Sequence, residues 1–202
     1  MSYLDRTALV DGGPALEAAG LVHRVRQPAR AGPHPTVVML HGLGGDESAM
    51  WPLSPVVPRD WLVAAPRGPL ELPVGGYAWR DVPPGTWAGP GLFEPAVVAL
   101  VRFVDALPGL YGADSGQIHL MGFSQGAALA FAAAMTHPRR FQAIASIVGF
   151  VPTAEALRPA AFSRLPVFMA VGKRDPLVPG SVSHASAELL RSAEAALVCR
   201  EY

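Results

Sequence analysis

Apolar residues along this chain fall into two alternating patterns: short runs of aliphatic and β-branched residues, and longer stretches in which apolar positions recur every three or four residues. Segments 21–26, 36–40, 61–65, 117–121, 143–148, 166–171 and 196–202 are of the first kind and predict strands, most of them apolar enough to be buried on both faces. Between them, segment 92–107 sets Leu92, Ala96, Leu100, Phe103 and Leu107 on one helical stripe, 125–135 is Ala-rich, and 182–193 is again amphipathic. Strands alternating with helices predict the α/β class, a mostly parallel twisted sheet with helices on both faces, because each parallel crossover needs a covering element. Functional residues in such sheets gather at the carboxyl ends of the strands. Segment 66–90 has no period and predicts a long ordered loop. Its Tyr77, Trp79 and Trp87 are either anchors packed on the sheet edge or contacts to a bound molecule.

Composition narrows the function classes. The 202 residues predict a single domain over 1–202 with a full core. Sixteen basic residues balance sixteen acidic ones, so nucleic acid and anionic membrane surfaces are not expected partners. Apolar runs are broken every few residues by Pro, Gly or a charge, and no span approaching the ~20 residues of a membrane helix is expected. The amino terminus, MSYLDRTALVDGG, lacks a basic start and a continuous apolar segment, which predicts a cytoplasmic protein without a secretory signal. Cys199 is the only cysteine; it falls in the last expected strand and excludes an internal disulfide or a cysteine-based metal cluster.

Three motifs carry chemistry. Gly122-Phe123-Ser124-Gln125-Gly126 follows the apolar run QIHLM and opens the Ala-rich helix, the strand-turn-helix context of a nucleophile elbow. Both glycines are needed there because the sharp turn brings backbone segments into close approach, and the helix amino end faces the oxygen that turns negative in acyl transfer. His41-Gly42-Leu43-Gly44-Gly45-Asp46 follows the run TVVML. Alone it is a tight turn, but paired with the elbow it predicts an oxyanion loop, with the N–H groups of Leu43 and Gln125 as donors. His41 itself is expected to hydrogen-bond the loop and not to carry a proton. Gly172-Lys173-Arg174-Asp175-Pro176 follows the run PVFMAV. Asp175 is either an ordinary turn aspartate or the carboxylate that orients a catalytic histidine, with Lys173 and Arg174 as solvated neighbours.

Taken in order, HGLGGDESAMWPL, APRGP, GGYAWRD, GFSQGAALA and GKRDPLVP resemble the carboxylesterase and acyl-protein thioesterase group of small α/β-hydrolases, the phospholipase/carboxylesterase family. The resemblance runs from about residue 36 to the end. It implies the α/β-hydrolase fold and serine-dependent hydrolysis of short to medium acyl esters or thioesters without metal or other cofactor, on a small-molecule substrate. Ser124 and Asp175 are implied as nucleophile and acid, Leu43 and Gln125 as oxyanion donors, and Trp79 as a wall of the acyl pocket. A homodimer is a reasonable expectation for a fold of this size.

In that family a segment resembling ALVCREY is followed by a Gly-His dipeptide on the next loop and by a final helix. No Gly-His occurs in this sequence, so the general base is expected to lie outside it, in a longer chain of which these residues are a truncated or incompletely represented form. The alternative is a catalytically inactive α/β-hydrolase-fold binding or scaffold protein. Among the six histidines, His23 and His34 are expected to be exposed, His119 to pack in the sheet and His137 to end the elbow helix. His184 is the only one that follows Asp175, yet it precedes the last strand where the family's base comes after it. Without a final helix the apolar face of the last strands is expected to be uncovered and prone to association, and the chain to melt below a version extended through that helix.

Overall fold

The computed structural model describes residues 6–81, 90–152 and 159–202. In chain order the elements are β1 (Arg6–Val10), α1 (Gly13–Ala19), β2 (His23–Gln27), β3 (His34–Leu40), β4 (Leu62–Pro66), β5 (Leu70–Glu71), β6 (Tyr77–Ala78), α2 (Glu94–Tyr111), β7 (Ala113–Phe123), α3 (Gln125–Thr136), β8 (Ala143–Ile147), β9 (Pro166–Val171), α4 (Gly180–Ser192) and β10 (Ala196–Glu201). Eight strands form one sheet in the order β1-β2-β4-β3-β7-β8-β9-β10. The pairings from β4 through β3 to β10 are all parallel, and β1 and β2 join antiparallel at one edge. The seven strands expected from the short apolar runs are all present, and the three helices expected from the longer periodic stretches are α2, α3 and α4.

The sheet separates the core by residue parity, as pleated strands must. Val38, Leu40, Leu62, Ala64, Leu120 and Ile144 join the larger cluster with α2 and α3. Val37, Met39, Val63 and Ala65 turn the other way and pack on Met50, Val57 and the short helical turn Trp51–Val56. Helical segments therefore lie on both faces, but unevenly. Over the other half of that second face the described residues leave a groove of about 500 Å³, lined among others by His119, Met121, Ala145, Phe168, Val198 and Arg200.

Helix α3 explains how tightly the elbow is built. Every residue from Gln125 to Met135 is buried, and most are alanine, so the helix lies deep against β3, β7 and β8 with little side-chain bulk between. Helix α2 ends on Gly112 in the left-handed conformation (φ 71°), whose N–H reaches back to Pro108 O.

Two expectations are corrected. His23 and His34 are fully buried, not exposed. His23 is satisfied on both ring nitrogens, Nδ1 with Leu21 O at 2.7 Å and Nε2 with the Tyr111 hydroxyl at 2.6 Å, and its ring meets Phe103 edge-on, which is what makes burial of an imidazole tolerable. The aperiodic segment 66–90 also contains the β5–β6 hairpin, a two-stranded ladder too short for any period to register. Trp87 lies outside the described residues. His119, by contrast, packs in the sheet as expected, against Trp61, and exposed His137 caps the end of α3.

Candidate active site

Ser124 sits between the last residue of β7 and the first of α3 with φ 50° and ψ −114°, a conformation that a non-glycine residue adopts only when its surroundings enforce it. They do so here from both sides. The Ser124 N–H donates to Ile147 O at the end of β8, and its carbonyl accepts from the N–H groups of Ala127 and Ala128 in the first turn of α3. The flanking glycines cannot be anything larger. A Cβ on Gly122 would lie 2.4 Å from Ala127 N, and one on Gly126 would lie 2.1 Å from Leu40 O. Close approach of α3 to the ends of β3 and β7 is therefore what fixes the elbow.

Residues 41–45, just after β3, form the turn beside it. A Cβ on Gly42 would stand 2.8 Å from the Phe123 ring and 3.3 Å from Ser124 Cβ, so this turn runs directly alongside the serine. Gly44 takes φ 78°. The β5–β6 hairpin holds the turn from above: Gly44 N–H donates to Tyr77 O and Tyr77 N–H to Gly45 O, each at 2.9 Å, while Gly76 approaches so closely that a Cβ there would be 2.1 Å from Gly44 O. Gln125 is the first residue of α3, so its N–H has no partner within the helix. Among the described residues, the backbone hydrogen bonds of the turn engage the amides of Gly44 and Gly45 and leave that of Leu43 uncommitted.

Two side chains lock this geometry in ways the sequence did not signal. Gln125 Oε1 accepts the Trp79 N–H at 2.7 Å, and Trp79 Nε1 donates to His41 O at 2.9 Å. The indole is 2% exposed and stacks obliquely on the His41 ring, so Trp79 is a buried anchor tying the aperiodic segment to both the elbow and the turn. His41 is equally buried. Its Nδ1 pairs with Gly42 O at 2.7 Å and its Nε2 accepts the Gly68 N–H at 2.8 Å, which fixes the neutral Nδ1–H tautomer; burial pushes its pKa below the ordinary imidazole value. Hydrogen-bonding the loop, as expected, occupies both nitrogens.

Asp175 follows β9 on the turn before α4. Its Oδ1 accepts from the N–H groups of Leu177 and Val178, both at 2.8 Å, and its Oδ2 accepts no hydrogen bond from the described residues. Ser124 and Asp175 leave the same end of the sheet on β7 and β9, with β8 between; two strand spacings put about 10 Å between the strand ends. His184, in α4, binds Glu201 Oε1 at 2.7 Å at the far end of β10. Three strand spacings, about 14 Å, separate the ends of β7 and β10. Among the described residues no group of three or more His, Cys, Asp or Glu could hold a metal ion, and no helix is long and apolar enough to cross a membrane.

Comparison with known proteins agrees with this architecture. Residues 22–200 match the model of the phospholipase/carboxylesterase family. The acyl-protein thioesterase 1 of Schizosaccharomyces pombe is 30% identical over 173 residues, covering 77% of this chain and 75% of that protein. The fold matches the carboxylesterase of Bacillus cereus with a TM-score of 0.79 at 23% identity, over 92% of this chain and 86% of the other. It matches a carboxylesterase of Mesorhizobium loti with a TM-score of 0.78 at 19% identity, over 97% and 89%. The sheet order, the elbow after its fifth strand and the family match over most of the chain converge: this chain belongs to the phospholipase/carboxylesterase family of α/β-hydrolases and is, by family, a carboxylic ester hydrolase.

Proposed function

We propose that residues 1–202 form one domain carrying the nucleophile, acid and oxyanion hole of a serine esterase or thioesterase acting on short to medium acyl chains. One observation carries the proposal: Ser124 is held at φ 50°, ψ −114° at a strand-to-helix junction, directly beside a glycine-rich turn. A nucleophile elbow accounts for the chain maintaining that backbone at a serine.

In this mechanism the Ser124 oxygen attacks the acyl carbonyl as an imidazole removes its proton. The oxyanion of the tetrahedral intermediate accepts from the N–H groups of Leu43 and Gln125, the second reinforced by the dipole of α3. Collapse expels the alcohol or thiol, which takes the imidazole proton, and water then repeats the cycle to release the acid. Asp175 orients the imidazole through Oδ2. Trp79 closes the buried side of the acyl pocket. At its mouth Leu43, Phe123 and Leu177 are 42%, 41% and 66% exposed, an apolar rim that favours an apolar acyl group over a charged one.

None of the six histidines fills the place of the base in this mechanism. His41 and His23 are committed on both nitrogens, His34 is buried at the start of β3, His119 lies within β7 against Thr36 O, His137 ends α3, and His184 is held by Glu201. The 202-residue chain is therefore expected to turn over p-nitrophenyl butyrate no faster than its Ser124→Ala variant, and to gain Ser124-dependent turnover when free imidazole is supplied as base. Absence of Ser124-dependent turnover at every imidazole concentration would refute the nucleophile. Ser124-dependent turnover without imidazole would assign the base to a histidine of this chain, with His184→Gln as the first variant to examine.

A further inference from the structure

The turn that contains Leu43 has little means of holding its own shape. Leu43 is flanked by Gly42, Gly44 and Gly45, whose backbones are unrestrained by any side chain, and Leu43 itself is exposed. Its conformation must be imposed from outside, and the groups that impose it converge on residues 67 and 68, immediately after β4. Arg67 anchors its own backbone by donating its N–H to Val22 O at 2.8 Å. Its Nε donates to Glu47 Oε2 at 2.7 Å, a carboxylate almost wholly buried where the turn ends. Its Nη1 donates to the Tyr77 hydroxyl at 3.3 Å, and the guanidinium lies 4.6 Å above the Tyr77 ring. The backbone of Tyr77 is what pairs with Gly44 and Gly45. The adjacent Gly68 N–H holds His41, where the turn begins.

We propose that Arg67 is a positioning residue for the oxyanion hole, joining the exit of the 41–47 segment to the hairpin that grips its middle so that the Leu43 N–H stays aimed at the oxygen beside Ser124. The inference rests on Leu43 being an oxyanion donor, as proposed above. Arginine is suited to this task where lysine is not, because one planar group makes two directed hydrogen bonds and an aromatic stack at once, while an ammonium on a flexible stem makes a single point contact. The partners of Arg67 are Val22, Glu47 and Tyr77 and not the serine, so it acts on rate through the turn's geometry and not by touching substrate.

The test compares the full chain with Arg67→Lys and Arg67→Met. Amide hydrogen exchange read by NMR is expected to accelerate at least about tenfold at Gly44 and Tyr77 in both variants, with the amides of α2 and β8 unchanged. In the imidazole-supplied assay, Ser124-dependent kcat is expected to fall by roughly ten- to a hundredfold, with KM within about twofold of its original value, because a displaced oxyanion donor acts on the transition state and not on ground-state binding. Unchanged exchange at Gly44 would overturn the proposal. So would acceleration spread evenly through α2 and β8, which marks general destabilisation, or full recovery of kcat in Arg67→Lys, which marks a need for charge alone. If Arg67→Met does not fold, Glu47→Gln replaces it, with the same selective acceleration expected at smaller size. An unmodified chain without Ser124-dependent turnover even when imidazole is supplied refutes the hydrolytic function, whereas exchange at Gly44 still decides whether Arg67 holds the turn.

Discussion

Replacing Gly126 by alanine puts the elbow's packing to a direct test. The new methyl would stand 2.1 Å from Leu40 O and 2.5 Å from His41 O, where ordinary contact begins at 3.4 Å. Both obstacles are backbone atoms at the end of β3, in the middle of the sheet, so neither can rotate aside. Helix α3 must retreat by about 1.3 Å, and it is buried along its whole inner length against close-packed neighbours. Overpacking of this kind costs about 1–3 kcal/mol, and the backbone partners place Gly126→Ala near the upper value. For a domain of this size that lowers Tm by roughly 6–12 °C. Gly109→Ala is the matched control: it is an exposed position in α2 with nothing within 4 Å of the added methyl. There alanine's helix propensity stabilises by about 0.5–1 kcal/mol, raising Tm by roughly 1–4 °C. The same retreat carries the Gln125 N–H away from the oxyanion position proposed for it, and in that mechanism a misplacement of about 1 Å costs on the order of a hundredfold in kcat in the imidazole-supplied assay. Differential scanning calorimetry of the three proteins reads the stability effect directly. Equal melting of Gly126→Ala and the unmodified chain would refute the claim that close approach of α3 to β3 sets the elbow.

Two further outcomes follow from buried groups. Burial holds the pKa of both His23 and His41 below the ordinary value of 6.5, so as pH falls below about 6.5 the unfolded chain takes up protons that the folded chain refuses. Stability is then greatest above that pH and declines below it, by at most about 2.7 kcal/mol per pH unit for the pair; urea unfolding between pH 7.5 and 5 measures it, and a slope unchanged by His23→Gln would contradict the assignment of His23 as buried and neutral. Trp79→Phe keeps a ring in the cavity but removes the donor to His41 O, leaving a buried carbonyl unsatisfied at a cost of about 1–3 kcal/mol in denaturant unfolding; a loss under ~0.5 kcal/mol would show that this bond does not hold the loop.

Much of the architecture is legible in the pattern of residues alone. Buried parallel strands must be short and apolar on both faces, and the helices that cover them must show an apolar stripe, so the strands at 62–66 and 166–171 could be marked in advance to within a residue. The exposed edge strand β10 was still marked by its aliphatic and β-branched residues, but two elements at the other edge left no such mark. Strand β1 is exposed along most of its length and α1 is only seven residues long. Strand β7 extends four residues before its apolar run because its polar start pairs with β3 across a bulge, a constraint set by the partner and not by the segment's own composition.

The site divides along the same line. Ser124 with its two glycines, the glycine turn at 42–45 and Asp175 are each announced by local sequence, because a strained turn, a close backbone approach and an acid after a strand all demand particular residue types within a few positions. What braces them is not local. Arg67 and Glu47 are 20 residues apart, and Gln125 reaches Trp79 across 46. Arginine, glutamate and glutamine are common on any surface, and nothing in a neighbouring residue distinguishes one that is buried against a backbone amide from one in water. The burial of His23 was likewise decided by Tyr111 and Phe103, which meet it only when α2 lies across β2. Chemistry that depends on backbone conformation is written in short motifs, whereas the contacts that hold those motifs in register exist only once the sheet has brought distant segments together.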